Sequence, residues 1–290
     1  MSSTKPPHTD TLHDRVAWVA GATRGGGLGI ARVLGEAGAT VWVSGRTERG
    51  GVTPDGLPGT VEDAAEAVSA AGGRGLPLVV DHSEAVAIDA AAERIFQMSE
   101  RLDLLVCNVW GGYEGYAHDS FGAPFWEQPP ERWYGMFDRG LRAHLWTVAK
   151  VVPAMREAGR GLVVCTTGWD HDKYLGNLYY DVSKAALHRA VAGMAHELGD
   201  DGPTVLALTP GFMRTERVLQ AYESHPFDLS ATESTEYVGR AVAALAADPE
   251  VAERHGGIFR VGDLAEDYGF VDVDGRRIPA FEIPELEPQR

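Results

Sequence analysis

Val16-Ala17-Trp18-Val19-Ala20-Gly21-Ala22-Thr23-Arg24-Gly25-Gly26-Gly27-Leu28-Gly29-Ile30-Ala31 decides how this chain is read. A strand-length apolar run ends in a glycine cluster, and apolar residues then recur at helical spacing at Ile30, Val33, Leu34 and Ala37. Strand, glycine turn and helix together aim backbone N–H groups and a positive helix end at a phosphate. Gly21, Gly25 and Gly27 stand as G-x3-G-x-G, and their missing Cβ atoms allow a tight turn and close approach of a pyrophosphate. Thr23 and Arg24 inside the turn, and Leu28 just past it, are the neighbouring candidates for the cofactor cradle.

Working outward, Thr40–Ser44 reads as a second strand, so the span is a βαβ unit and implies a parallel sheet. An NAD-preferring site usually carries an acid at the end of this strand to hold the ribose 2′-OH. Here the strand runs into Ser44-Gly45-Arg46, with no acid before Glu48. Arg46, helped by Arg24, instead suits a 2′-phosphate, and the pair predicts NADP(H) in preference to NAD(H).

The 290 residues hold ample apolar content for a core, and the formal net charge is -16, which disfavours a nucleic-acid backbone as partner. No segment is long and charge-free enough to span a membrane. Residues 1–14 are polar and read as a loose tail, leaving 15–290 as one domain. Cys107 and Cys165, the only cysteines, lie in apolar runs and read as buried thiols, which implies a reducing, cytoplasmic location.

Further along, residues 49–59 read as a loop, 60–71 as a helix and Leu76–Val80 as a third strand closed by Asp81. That carboxylate is placed either to accept from an adenine amino group or to cap the helix starting near Ser83. A fourth strand, Leu102–Cys107, leads through Asn108 into an aromatic loop carrying Trp110, Tyr113, Tyr116, Phe121, Phe125, Trp126, Trp133 and Tyr134. Such a loop at the carboxyl end of a central strand is where an α/β sheet forms its ligand crevice. One long helix over 131–158, strands at 161–166 and 204–209, and a helix from Tyr179 to Leu198 follow. Beyond Pro210-Gly211 the pattern predicts a looser stretch over 212–232, a helix over 234–247, a short strand at 257–261 and an acidic tail.

Tyr180 and Lys184 stand at i and i+4, one face of a helix, where a lysine cation favours the phenolate and lowers the tyrosine pKa. Thirteen positions before Tyr180, the hydroxyl of Thr167 ends the fifth strand. The histidines show no metal-ligand spacing, no nucleophile elbow is present, and Asp170-His171 reads as a solvated loop pair.

Taken jointly, Gly21-x3-Gly25-x-Gly27, Asp81, Asn108, Thr167, Tyr180-x3-Lys184 and Pro210-Gly211-x3-Thr215 resemble the short-chain dehydrogenase/reductase family from about Arg15 to Val261. The resemblance implies a single Rossmann-type, doubly wound α/β domain with a seven-stranded parallel sheet, assembled as a homodimer or homotetramer. It also implies a nicotinamide-dependent oxidoreductase interconverting a carbonyl and an alcohol on a small or medium apolar substrate. Tyr180 would be the acid or base, Lys184 would hold the nicotinamide ribose, Thr167 would orient the substrate oxygen, and Thr215 would bond the carboxamide.

Several positions depart from the family's pattern. Ala20 opens the glycine turn where the family has threonine, and Asn-Asn-Ala-Gly becomes Cys107-Asn108-Val109-Trp110. Gly140 stands in place of an asparagine that binds a relay water. Two expectations follow for Gly140: waters fill the space beside it and return protons to Tyr180, or the glycine only permits close packing. Gly140 and Trp110 also raise the alternative of a non-catalytic dinucleotide-binding sensor or scaffold.

Overall fold

The computed structural model describes residues 11–53, 56–114, 121–168 and 173–283. Seven strands form one sheet in the order β3-β2-β1-β4-β5-β6-β7: β1 (Val16–Ala20), β2 (Thr40–Gly45), β3 (Arg74–Val79), β4 (Leu104–Cys107), β5 (Leu162–Thr166), β6 (Thr204–Thr209) and β7 (Ile258–Arg260). Every pairing is parallel. β1, β4 and β6 are buried at every residue, which explains their almost unbroken apolar sequence.

Helices cover both faces. α1 (Gly25–Glu36) packs with α8 (Thr235–Ala247) on one core, beside α2 (Val61–Ala71). α3 (Ala85–Ser99), α5 (Ala143–Glu157) and α6 (Leu178–Leu198) enclose the other, where Trp18 and Trp42 are buried. Strand order reverses between β1 and β4, so a crevice opens at their carboxyl ends, where Gly21 and Asn108 lie. Cys107 and Cys165 face each other in register across β4 and β5, buried and free. Among the described residues no helix is long and apolar enough to cross a membrane.

The structure corrects several expectations. Leu12, inside the expected tail, is buried, and its N–H donates to the Ala37 carbonyl at 2.9 Å, so the domain includes residues from Thr11; residues 1–10 lie outside the described ones. β3 starts at Arg74, two residues earlier than its apolar run, because its residues are only partly buried and pair with β2 from Thr40 onward. The long helix is composite: α4 (Glu131–Trp133), a π-helical stretch Tyr134–Arg142, then α5. π-Helical turns favour functional sites, and here the widened stretch brings Gly135 against the Gly111 carbonyl. The looser stretch contains α7 (Glu216–Ser224), a short helix none of whose residues is buried; its apolar Val218 and Ala221 face the cleft instead of the core. The tail contains α9 (Val261–Tyr268), anchored by buried Val261, Leu264 and Ala265.

Candidate active site

A cleft of about 710 Å³ runs along the carboxyl edge of the sheet. Every expected site residue except Gly27 and Leu28 lines it. Gly27 lies underneath: a Cβ there would land on the Gly21 carbonyl oxygen and 2.8 Å from Asn108 Nδ2. Leu28 packs against the core beneath α1 instead, because its place on the helix turns it away from the turn. Asn108 braces the glycine turn from β4: its Nδ2 donates to the Gly21 carbonyl at 3.1 Å, and its Oδ1 accepts from Thr166 Oγ1 at 3.0 Å.

The end of α1 already holds an anion. The Gly25 N–H donates to the Glu216 carboxylate, at 2.9 Å to Oε2 and 3.2 Å to Oε1. Those carboxylate oxygens stand where the oxygens of a pyrophosphate would accept. The glycine turn therefore fits a dinucleotide both in shape and in the charge it attracts. Thr215, which precedes Glu216, caps α7 by accepting from the Val218 N–H at 3.3 Å.

Arg24 and Arg46 both reach the cleft. Arg24 donates to the Pro58 carbonyl at 3.0 Å and to the Gly59 carbonyl at 3.2 Å, holding the loop after β2. Arg46 is ion-paired with Glu114, which also receives Arg139 at 3.2 Å. An acid does therefore stand beside the second strand's arginine, delivered by the aromatic loop. Asp81 Oδ1 accepts from the Ser83 N–H at 2.9 Å and from its hydroxyl at 2.6 Å, which makes it a turn former ahead of α3.

Tyr180 is placed by its own backbone: the Asn177 side chain caps α6 by accepting from the Tyr180 N–H at 3.0 Å. Around its ring stand Trp110 at 5.4 Å, Phe121 at 5.6 Å and Tyr113 at 6.3 Å between centroids. A Cβ on Gly168 would come within 2.8 Å of the Tyr180 hydroxyl. The rest of the aromatic loop divides. Phe125, Trp126, Trp133 and Tyr134 lie exposed, with Trp133 stacked on Phe137, while Tyr116 falls outside the described residues, as do Asp170 and His171. Phe212 and Phe227, 5.5 Å apart beyond β6, complete the apolar wall, and sequence periodicity gave them no signal.

The electrostatics of the pair differ from expectation. Burial pushes the Tyr180 phenol above its usual value, with a hydrogen bond from Tyr113 opposing, and Lys184 does not lower it. Burial also lowers Lys184, to about 7, by disfavouring its charged form. The Thr167 hydroxyl hydrogen-bonds His188 Nε2 at 2.9 Å. His188 follows Lys184 by four residues, so Tyr180, Lys184 and His188 form a ladder one helical turn apart.

The space beside Gly140 is occupied by carbon. A Cβ on Gly140 would meet Trp110 Cζ3 at 2.8 Å and Cε3 at 3.0 Å. The water route past Gly140 is thus replaced by close packing, the other expectation for that glycine.

A glycine-turn βαβ unit, a cleft at the sheet's switch point and a Tyr-x3-Lys pair on its wall define a nicotinamide-dependent oxidoreductase fold. The short chain dehydrogenase family matches residues 15–225. A Mus musculus relative, "Dehydrogenase/reductase SDR family member 1", is 35% identical over 282 residues, covering 93% of this chain and 87% of its own. A metagenomic short-chain oxidoreductase solved with NADP superposes with a TM-score of 0.66 at 24% identity, covering 86% of this chain and 98% of that one. A short chain dehydrogenase from Mycobacterium paratuberculosis bound to NAD gives 0.69 at 23%, covering 86% and 97%. This chain belongs to the short-chain dehydrogenase/reductase family and is an NAD(P)-dependent enzyme of that family.

Proposed function

We propose that the chain interconverts a carbonyl and an alcohol on a small or medium apolar substrate, with NADP(H) as the preferred cofactor. The observation that carries this reading is the Tyr180 hydroxyl, set against Gly168 at the cleft wall and ringed by Trp110, Tyr113 and Phe121. A phenol among apolar rings at a cleft wall can deliver its proton to a carbonyl oxygen, and those rings favour an apolar substrate body. The cofactor supplies the hydride when bound. Gly21, Gly25 and Thr23 would hold it, with Arg24 and Arg46 toward the 2′-phosphate, while Asp81, Pro210-Gly211 and Thr215 line its path.

Lys184 sits one turn from Tyr180 and would meet the nicotinamide ribose. Thr167 would orient the substrate oxygen from the strand side. Assembly as a homodimer or homotetramer, in the cytoplasm, belongs to the same proposal.

Two measurements test it. Tyr180→Phe should lose turnover by about 10²–10⁴-fold with cofactor affinity kept, whereas Lys184→Ala should weaken both. A phenylalanine variant retaining more than about a tenth of the wild-type rate would exclude Tyr180 as the essential acid, given the usual size of general acid catalysis. Fluorescence titration should give tighter binding for NADPH than for NADH, and equal dissociation constants would sink the cofactor preference.

A further inference from the structure

We infer that Trp110 is a positioning residue for Lys184, giving its ammonium an aromatic face where a polar helix residue and water would otherwise stand. The inference rests on the reductase reading of Tyr180 and Lys184. Lys184 Nζ lies 3.8 Å from the centroid of the Trp110 ring and 5.3 Å from that of Tyr180. Among the described residues no carboxylate or carbonyl accepts from it. The indole is its principal electrostatic partner.

The fold makes room for this ring and for little else. Gly140, in the π-helical stretch, meets the Cζ3–Cε3 edge, and a Cβ on Gly112 would fall 2.6 Å from Cε2 on the other side. Leucine or phenylalanine would fill the same gap without a buried donor, yet the buried Trp110 Nε1–H has no hydrogen-bond partner among the described residues. An unpaired donor is costly. What an indole offers in return is the strongest aromatic face for a desolvated cation. The titratable groups around the contact are the phenol of Tyr180 and the imidazole of His188, each one turn from Lys184 on the same helix, and the phenol of Tyr113, in the loop after β4. Arg139 of the π-helical stretch is turned to Glu114.

The indole thereby keeps the buried lysine protonated to a higher pH than an aliphatic neighbour would.

The test is an NMR titration of the cofactor-free full chain labelled at lysine Cε, with the Lys184 resonance assigned through Lys184→Arg. Trp110→Leu should lower the Lys184 pKa by about one unit, and Trp110→Phe by less than about half of that, the scale of a desolvated cation–π contact. An unchanged or raised value in Trp110→Leu overturns the inference, since water would then be doing as well as the ring. If Trp110→Leu does not fold, Gly140→Ala decides: its Cβ displaces the ring, a downward shift supports the inference, and an unchanged or raised value overturns it. The titration needs neither cofactor nor turnover. Absence of carbonyl reduction would therefore sink the reductase reading while leaving this result to stand or fall separately.

Discussion

The Thr167 hydroxyl and the His188 imidazole are hydrogen-bonded at 2.9 Å, from the end of β5 to the third rung of the α6 ladder. Threonine is β-branched and stiff at χ1, so one bond is enough to choose where its hydroxyl points. His188→Ala should lower kcat roughly three- to tenfold, the size of one net hydrogen bond, with the NADPH dissociation constant unchanged. His188→Asn should recover part of the loss. A fall in cofactor affinity of the same size would show that His188 only supports the fold.

Glu114 holds Arg46 and Arg139 together at the cleft wall. On the proposed cofactor reading, a 2′-phosphate would have to take Arg46 from it. Glu114→Gln should therefore tighten NADPH binding by about threefold or more while leaving NADH nearly unchanged, because charge-assisted contacts exceed neutral ones. Paired titrations with the two cofactors read this directly. Equal gains for both would place Glu114 outside the choice of cofactor.

Gly140→Asn should destabilise the protein by about 1–3 kcal/mol through overpacking against Trp110. On the Gly140→Asn background, Trp110→Ala should recover stability, a coupling that thermal melts of the four proteins would show. Additive losses would mean that the two residues do not compete for one space.

Glu233 is buried, and burial raises its carboxyl to about 8, with a backbone hydrogen bond from Gly211 opposing and Asp272 adding to the rise. The folded protein keeps this proton where the unfolded chain, near the ordinary value of 4.5, has lost it. The stability it contributes is complete below the unfolded pKa and is lost as pH rises through about 8. Melting temperatures of wild type should therefore fall relative to Glu233→Gln between about pH 5 and pH 9. A constant difference across that range would count against a raised Glu233.

What the sequence reveals of the site follows the chain's local periodicities. Gly21 to Gly27 and Tyr180 to Lys184 are legible because a turn and a helix face bring near neighbours together. The β-sheet is legible because strands buried on both sides leave nearly unbroken apolar runs. Glu114 and Glu216 are not, since they meet Arg46 and Gly25 across 68 and 191 residues of chain. Trp110 is legible as one ring of an aromatic loop and as a departure from a family pattern; its meaning comes from Gly140, thirty positions on and packed on its ring. His188 carried a usable signal, four residues past Lys184, that becomes meaningful only when Thr167 is seen beside it.

The Glu216 carboxylate and a pyrophosphate cannot both occupy the Gly25 N–H. Entry of a dinucleotide is thus an exchange of one anion for another, and the helix end is never a bare positive charge awaiting a partner. Association should be less sensitive to salt than an open cradle would make it. The displaced glutamate begins α7, and α7 also carries Val218 and Ala221 into the cleft wall. The phosphate end and the Val218–Ala221 wall of the cleft are thus joined through one short helix, whose first residue is the one a dinucleotide would displace.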